Sequence, residues 1–207
     1  TILCAILVNL RQVKGKAMRV VQIPIIVPHV IVALFAINIL SQNGILARIG
    51  AQLGLITDQQ QFPLFLYDSH GIGVILAYLW KEIPFIVYFV IALMANISDS
   101  LGEAATNLGA NRIQVFWKIT LPLCMNTILS GFLIIFVFAL GAYELPFILG
   151  ATLPRALPVL AYIEYSKPDL LARPYAMAIN GLMIAVSCSV AVIYYILLSR
   201  STKKLAD

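Results

Sequence analysis

Residues 100–122 read SLGEAATNLGANRIQVFWKITLP and lie between two long apolar segments. Within them stand Glu103-Ala104-Ala105, then Gly109, then Ile119, then Leu121-Pro122. Read locally, the stretch is two short helices. Ser100 and Glu103 have capping-box spacing, in which the Ser side chain accepts from the Glu103 amide and the carboxylate reaches back. Leu101, Ala105 and Leu108 recur at helical spacing on one face. Gly109 suits the left-handed residue that ends a helix, and Asn111 can cap a second helix carrying Ile113, Phe116 and Trp117 on one side. Leu121 precedes a proline and is expected to end that helix, with Pro122 opening the next segment at its tolerated first-turn position. Capping accounts for Glu103 and Gly109 but not for apolar residues at helical spacing in a loop outside the membrane. Small Ala104 and Ala105 beside Leu101 and Leu108 would make a knob able to enter a partner's groove.

The flanking segments set the class. The 207 residues are 61% hydrophobic and 11% charged, with mean hydropathy +0.95, against about 45–50% apolar and about 25% charged in a soluble domain. A hydrocarbon core of about 30 Å needs about 20 helical residues. Full spans are expected over about 21–40, 72–97, 124–149 and 176–198, and residues 1–10 read as the tail of a further helix. No alternating ten-residue strands occur, so helices are the spanning form. The expected fold is an all-α polytopic membrane protein forming a single domain over residues 1–207, with a connecting loop at 98–123. The chain opens with Thr inside an apolar run and reads as N-terminally truncated.

The net charge of +5 reports topology rather than nucleic-acid binding. Arg11, Lys14, Lys16 and Arg19 share one loop, Arg112 and Lys118 lie in the 98–123 loop, and Arg200, Lys203 and Lys204 lie in the tail. Alternating spans put these nine of the fourteen basic residues on one side, which the positive-inside rule makes cytoplasmic. The opposite side holds Asp58, Asp68, Glu164 and Asp169, with Tyr67, Trp80, Tyr162 and Tyr165 as interfacial anchors.

Several chemistries have no residues to carry them. No phosphate-binding Gly-rich loop occurs, so any ATP hydrolysis is expected from another subunit. No Ser/His/Asp order or H-E-x-x-H run suggests an enzyme. Cys4, Cys124 and Cys188 lie far apart and read as small packing residues, and no metal or cofactor site is expected. His29 and His70 sit near span boundaries and read as polar interface residues. Charges within spans are costly and therefore candidate path residues. These are Lys81 and Glu82 in the second span and Glu144, beside Tyr143, in the third. Lys81 and Glu82 are adjacent and cannot face each other on a helix; outward snorkelling is the alternative.

The spacing Glu-Ala-Ala, three residues, Gly, nine residues, Ile, one residue, Leu-Pro resembles the signature (EAA) loop of the permease subunit of bacterial binding-protein-dependent ABC importers of type I. Average composition would produce it by accident at odds on the order of one in a million, and an Ala-, Leu- and Ile-rich chain raises that about tenfold. Looser matches at Pro24 and Pro28, Phe62-Pro63, Trp80 with Pro84-Phe85, and Leu108-Gly109-Ala110 resemble the polyamine and ferric-ion branch. The resemblance implies a multi-pass subunit of the bacterial inner membrane, its signature loop and C-terminus cytoplasmic. The loop would be a coupling helix docked on an ATPase dimer, with Glu103, Ala104, Ala105, Leu108, Gly109, Ile119, Leu121 and Pro122 carrying the match. The other implied partners are a second permease, identical or different, and an extracytoplasmic solute-binding protein. ATP and Mg would sit on the partner subunit, and the solute would be a polyamine, ferric ion or another small solute. The alternative is an ion-coupled secondary transporter or channel, which needs paired ionisable groups at the bilayer midplane or repeats with broken helices. Neither is evident in the sequence.

Overall fold

The computed structural model describes residues 22–94 and 100–203. The partial span expected at residues 1–10, the basic run from Arg11 to Arg19, Cys4, and the tail beyond Lys203 lie outside the described residues. Every regular element described is helical: α1 (His29–Leu40), α2 (Ile45–Gln52), α3 (Ile72–Met94), α4 (Ser100–Asn107), α5 (Arg112–Val115), α6 (Leu121–Gly141), α7 (Glu144–Leu149), α8 (Leu157–Ser166) and α9 (Arg173–Lys203). A π-helical turn at Phe116–Thr120 joins α5 to α6. Four stretches among the described residues are long and apolar enough to cross a membrane: His29–Gln52, Ile72–Val90, Ile113–Gly141 and Leu170–Ile196.

The chain forms two compact units. Unit I is Ile26–Lys81 with Phe138–Ser187, and unit II, among the described residues, is 22–25, 82–94, 100–137 and 188–203. In unit I the core is Val32, Ala33 and Ala36 of α1 against Leu145 and Leu149 of α7, joined by Leu66 and Ala77. Small side chains on α1 let the two leucines approach its backbone, the packing rule for helices that lack a hydrophobic drive in lipid. The amide of Tyr67 donates to the Leu149 carbonyl at 2.9 Å, closing the end of α7. In unit II, Val90 of α3 packs with Cys124 and Ile128 of α6, and the hydroxyls of Ser130 and Tyr194 join α6 to α9 at 2.5 Å.

Prolines set three departures from the expected spans. The first span is interrupted: residues 22–26 are helical, Val27 is a bend and Pro28 is the N-cap of α1. The third was expected to run over 124–149, but α6 ends at Gly141 and the chain restarts as α7 at Glu144. Pro146 is the cause, because it has no N–H for the Ala142 carbonyl and its ring would clash there; as the third residue of α7 it needs no helical donor. Conversely, Pro122 does not mark a helix end. Leu121 is helical and its amide bonds the Phe116 carbonyl five residues back, so the π turn carries the helix through the proline.

The start of α3 depends on Asp68, whose carboxylate accepts from the amides of His70 and Ile72 at 3.1 and 2.9 Å. Gly73 passes close beneath: its amide bonds the Phe65 carbonyl at 2.7 Å, and a Cβ there would stand 2.5 Å from that oxygen and 2.6 Å from Leu66 Cδ2. Gly73→Ala should therefore cost about 1–3 kcal/mol, read as a lower unfolding temperature in detergent. Gly181→Ala, with open space around the position on α9, should be neutral or stabilising by about 0.5–1 kcal/mol.

Candidate functional site

The loop of unit II is built from its caps. Gly109 has φ +89°, the amide of Gly109 bonds the Thr106 carbonyl at 3.0 Å, and the amide of Ala110 bonds the Ala105 carbonyl at 3.0 Å. This paired arrangement is a Schellman motif, which closes α4 and satisfies its last carbonyls. One residue later Asn111 Oδ1 accepts from the Gln114 amide at 2.8 Å while Gln114 Oε1 accepts from the Asn111 amide at 3.0 Å. The reciprocal capping box thus opens α5, where Gln114 went unnoticed in the sequence. The Ser100 side chain, needed for the box expected at α4, lies outside the described residues.

Between these caps the loop turns apolar side chains outward. Leu101, Leu108, Ile113 and Trp117 are exposed, Leu108 at 89%. Glu103 and Ala104 are also exposed, and Ala105, Ile119 and Leu121 are half-buried. The expectation that Ile113, Phe116 and Trp117 share a side is corrected: Phe116 is buried, while Ile113 and Trp117, four residues apart, face out. Gly102 packs toward Val115, bringing α4 against α5. The result is a capped two-helix element on which Leu101, Glu103, Leu108, Ile113 and Trp117 are exposed.

Unit I brings two of the expected path residues to a second polar site. Lys81 is buried and its ammonium donates to the Val27 carbonyl at 2.5 Å, so it does not snorkel outward. Glu144 Oε2 lies 3.8 Å from Nδ1 of His29, and the His29 ring leans on Phe138 at 5.4 Å. Tyr143 stacks on Tyr162 at 4.7 Å and meets Phe147 edge-on. Glu82 is half-buried and is the first residue of the 82–137 segment of unit II. The roles of His29 and of Tyr78, whose hydroxyl reaches the Ala142 carbonyl at 3.5 Å, were missed because their partners are distant in sequence. An ionisable cluster at two interrupted helices is thus present where the sequence showed none.

The outer acids are largely engaged locally. Asp68 caps α3, and Glu164 accepts from Lys167 at 2.6 and 2.7 Å. An open cleft of about 380 Å³ in unit I is lined by Gln42, Asn43, Arg48, Thr57, Asp58 and Gln59, with Ala47, Ala51 and Ile56. Among the described residues no group of three or more His, Cys, Asp or Glu could hold a metal ion.

The family described as binding-protein-dependent transport system inner membrane component matches residues 1–204. The sulfate transport system permease protein CysT of Synechocystis sp. is 26% identical over 181 residues, covering 85% of this chain and 59% of that protein. The spermidine/putrescine transport system permease protein PotB of Haemophilus influenzae is 26% identical over 159 residues, 75% of this chain and 52% of the relative. The chain therefore spans little more than half the length of these relatives. A chain in the crystal structure of a bacterial alginate ABC transporter, in complex with an alginate pentasaccharide-bound periplasmic protein, superposes with TM-score 0.76 at 24% identity, over 98% of this chain and 72% of that one. At that identity the likeness shows the fold, an ABC-transporter transmembrane domain.

The caps make the loop's rigidity testable. Asn111→Ala should cost about 0.5–2 kcal/mol, and Gly109→Val about 1–2 kcal/mol because valine resists a positive φ. Hydrogen exchange of residues 101–115 should accelerate in both variants, with exchange in α7 unchanged.

Proposed function

The chain belongs to the family of binding-protein-dependent transport system inner membrane components, and from that premise we propose that it is the pathway-forming permease of an ATP-driven importer. The observation that carries this reading is the loop: α4 is closed at Gly109 and α5 is opened by Asn111, yet Leu101, Leu108, Ile113 and Trp117 stay exposed. Exposed apolar side chains on a capped helix pair suit a groove on another protein. In this reading α4 is the coupling helix, with Glu103, Ala104 and Leu108 toward the ATPase and Ala105 and Gly109 holding the shape that docks. ATP and Mg are bound and used by that partner, and this chain has no catalytic role.

Coupling follows from continuity. The helical run from Ile113 to Gly141 is unbroken, so a displacement of the docked loop is carried into α6 through hydrogen-bonded backbone. Closure of the ATPase pair would draw two such loops together, one from each permease subunit, and tilt the attached helices to open the pathway outward. A solute-binding protein would deliver a small solute from the other side, where alternation of spans puts the polar cleft near Arg48 and Asp58. A polyamine or ferric ion is the solute the sequence favours, with another small solute as the broader class.

A second reading has one observation behind it: His29 and Glu144 face each other at the restarts of two interrupted helices, and Lys81 bonds the Val27 carbonyl at one of them, an arrangement that ion-coupled carriers use. Uptake that needs ATP and survives collapse of ion gradients separates the two. Purification of the full-length chain from native membranes in mild detergent, followed by mass spectrometry, should recover an ATPase, a permease partner and a binding protein with its solute. A chain that emerges alone even after crosslinking through the loop would overturn the importer reading. Leu108→Asp should weaken ATPase binding about 10- to 100-fold, the loss of one buried leucine at about 1.5–3 kcal/mol. The permease's own unfolding temperature should stay unchanged, because Leu108 contributes no burial to the fold.

A further inference from the structure

Two helices of unit I are interrupted, and both interruptions meet the same face of α3. At the first, Pro28 caps α1, so the Val27 carbonyl lies outside the helix; the Lys81 ammonium donates to it at 2.5 Å. At the second, Pro146 denies the Ala142 carbonyl its helical donor, and the Tyr78 hydroxyl approaches that oxygen at 3.5 Å, the long end of a hydrogen bond. Tyr78 and Lys81 are three residues apart and therefore neighbours on one side of α3. The first residues after the two interruptions, His29 and Glu144, face each other at 3.8 Å. Lys81 stands nine residues into α3, about 14 Å along its axis and so near the middle of a core about 30 Å thick. A cation at that depth is expensive, and its placement on a released carbonyl is a use that compensates the cost.

We infer that Tyr78 and Lys81 are positioning residues that tie the two interruptions into one hinge, about which α1 and α7 change angle together during transport. The hinge rests on the importer reading, since it is the nucleotide cycle that would work it. Each interruption lacks the continuous ladder that stiffens an ordinary span, so it is where bending is least costly. The α3 side chains hold the loose ends, and the His29–Glu144 contact sets how the two restarted helices meet. Lys81 and Glu144 thereby leave the class of solute contacts and become parts of the moving frame.

The test needs no knowledge of the solute. The full complex, with native cysteines replaced by alanine and Ala142→Cys as reporter, is placed in lipid nanodiscs. Its reaction with a charged methanethiosulfonate is timed without nucleotide and with ATP trapped by vanadate. With Lys81 intact the two rates should differ about tenfold, and Lys81→Met should bring them within about twofold, the scale of one charge-assisted hydrogen bond. Lys81→Arg should restore the difference; a role confined to folding would lower the yield of complex without erasing the nucleotide response. If Lys81→Met does not assemble, Tyr78→Phe removes only a hydroxyl and should shrink the difference at least about threefold. Equal rates with Lys81 intact, or a full response in both variants, would overturn the hinge while leaving the importer reading in place. Failure to trap nucleotide in the parent complex would bring down the importer reading, and the hinge with it.

Discussion

A backbone carbonyl released inside a membrane helix has no water to bond, and that constraint governs unit I. Pro146 releases one at Ala142, and the Val27 carbonyl, next to the N-cap Pro28, stands outside α1. Both oxygens are reached by polar side chains of α3, and the core of Leu145 and Leu149 against Val32, Ala33 and Ala36 lies just beyond. Were α7 continuous with α6, its leucines would follow the longer helix's direction instead of turning onto α1. The interruption, the buried cation and the packing of small against large side chains are therefore one arrangement seen at three scales.

The loop of unit II solves the opposite problem. Its backbone is satisfied almost wholly from within, by the Schellman bonds at Gly109 and Ala110 and the Asn111–Gln114 exchange, so shape is held without burying the outer side chains. That division of labour leaves Leu108 and Trp117 available for contact. A loop that relied on burying those residues for its order would lose its shape whenever a partner took them.

Features set by near neighbours were legible in the sequence. The end of α4 at Gly109, the cap at Asn111, the start of α3 near Ile72 and the general run of spans all follow from residues within one or two turns. What depended on distant partners was not. Lys81 meets a carbonyl 54 positions away, and carbonyls leave no mark in a residue list. Glu144 faces His29, more than a hundred positions earlier, a neighbour that no local spacing announces. Pro122 stands in the first turn of α6 as its chemistry predicts, but the expected break before it is absent, because a π turn joins α5 to α6. The family itself was legible because its loop signature is local.

The π turn at Phe116–Thr120 also fixes an azimuth. It carries one residue more per turn than regular helix would, and each residue of an α-helix advances the side chains by about 100°. Shortening the stretch between Asn111 and Pro122 by a single position would let it relax to ordinary helix. Everything before it, including the outward faces at Leu108 and Ile113, would then keep nearly its bearing, whereas the same deletion from ordinary helix would rotate it by about 100° around the axis of α6. The π turn at Phe116–Thr120 thus acts as a phase absorber: it takes up one residue of length between Gly109 and Pro122 without turning the loop about α6.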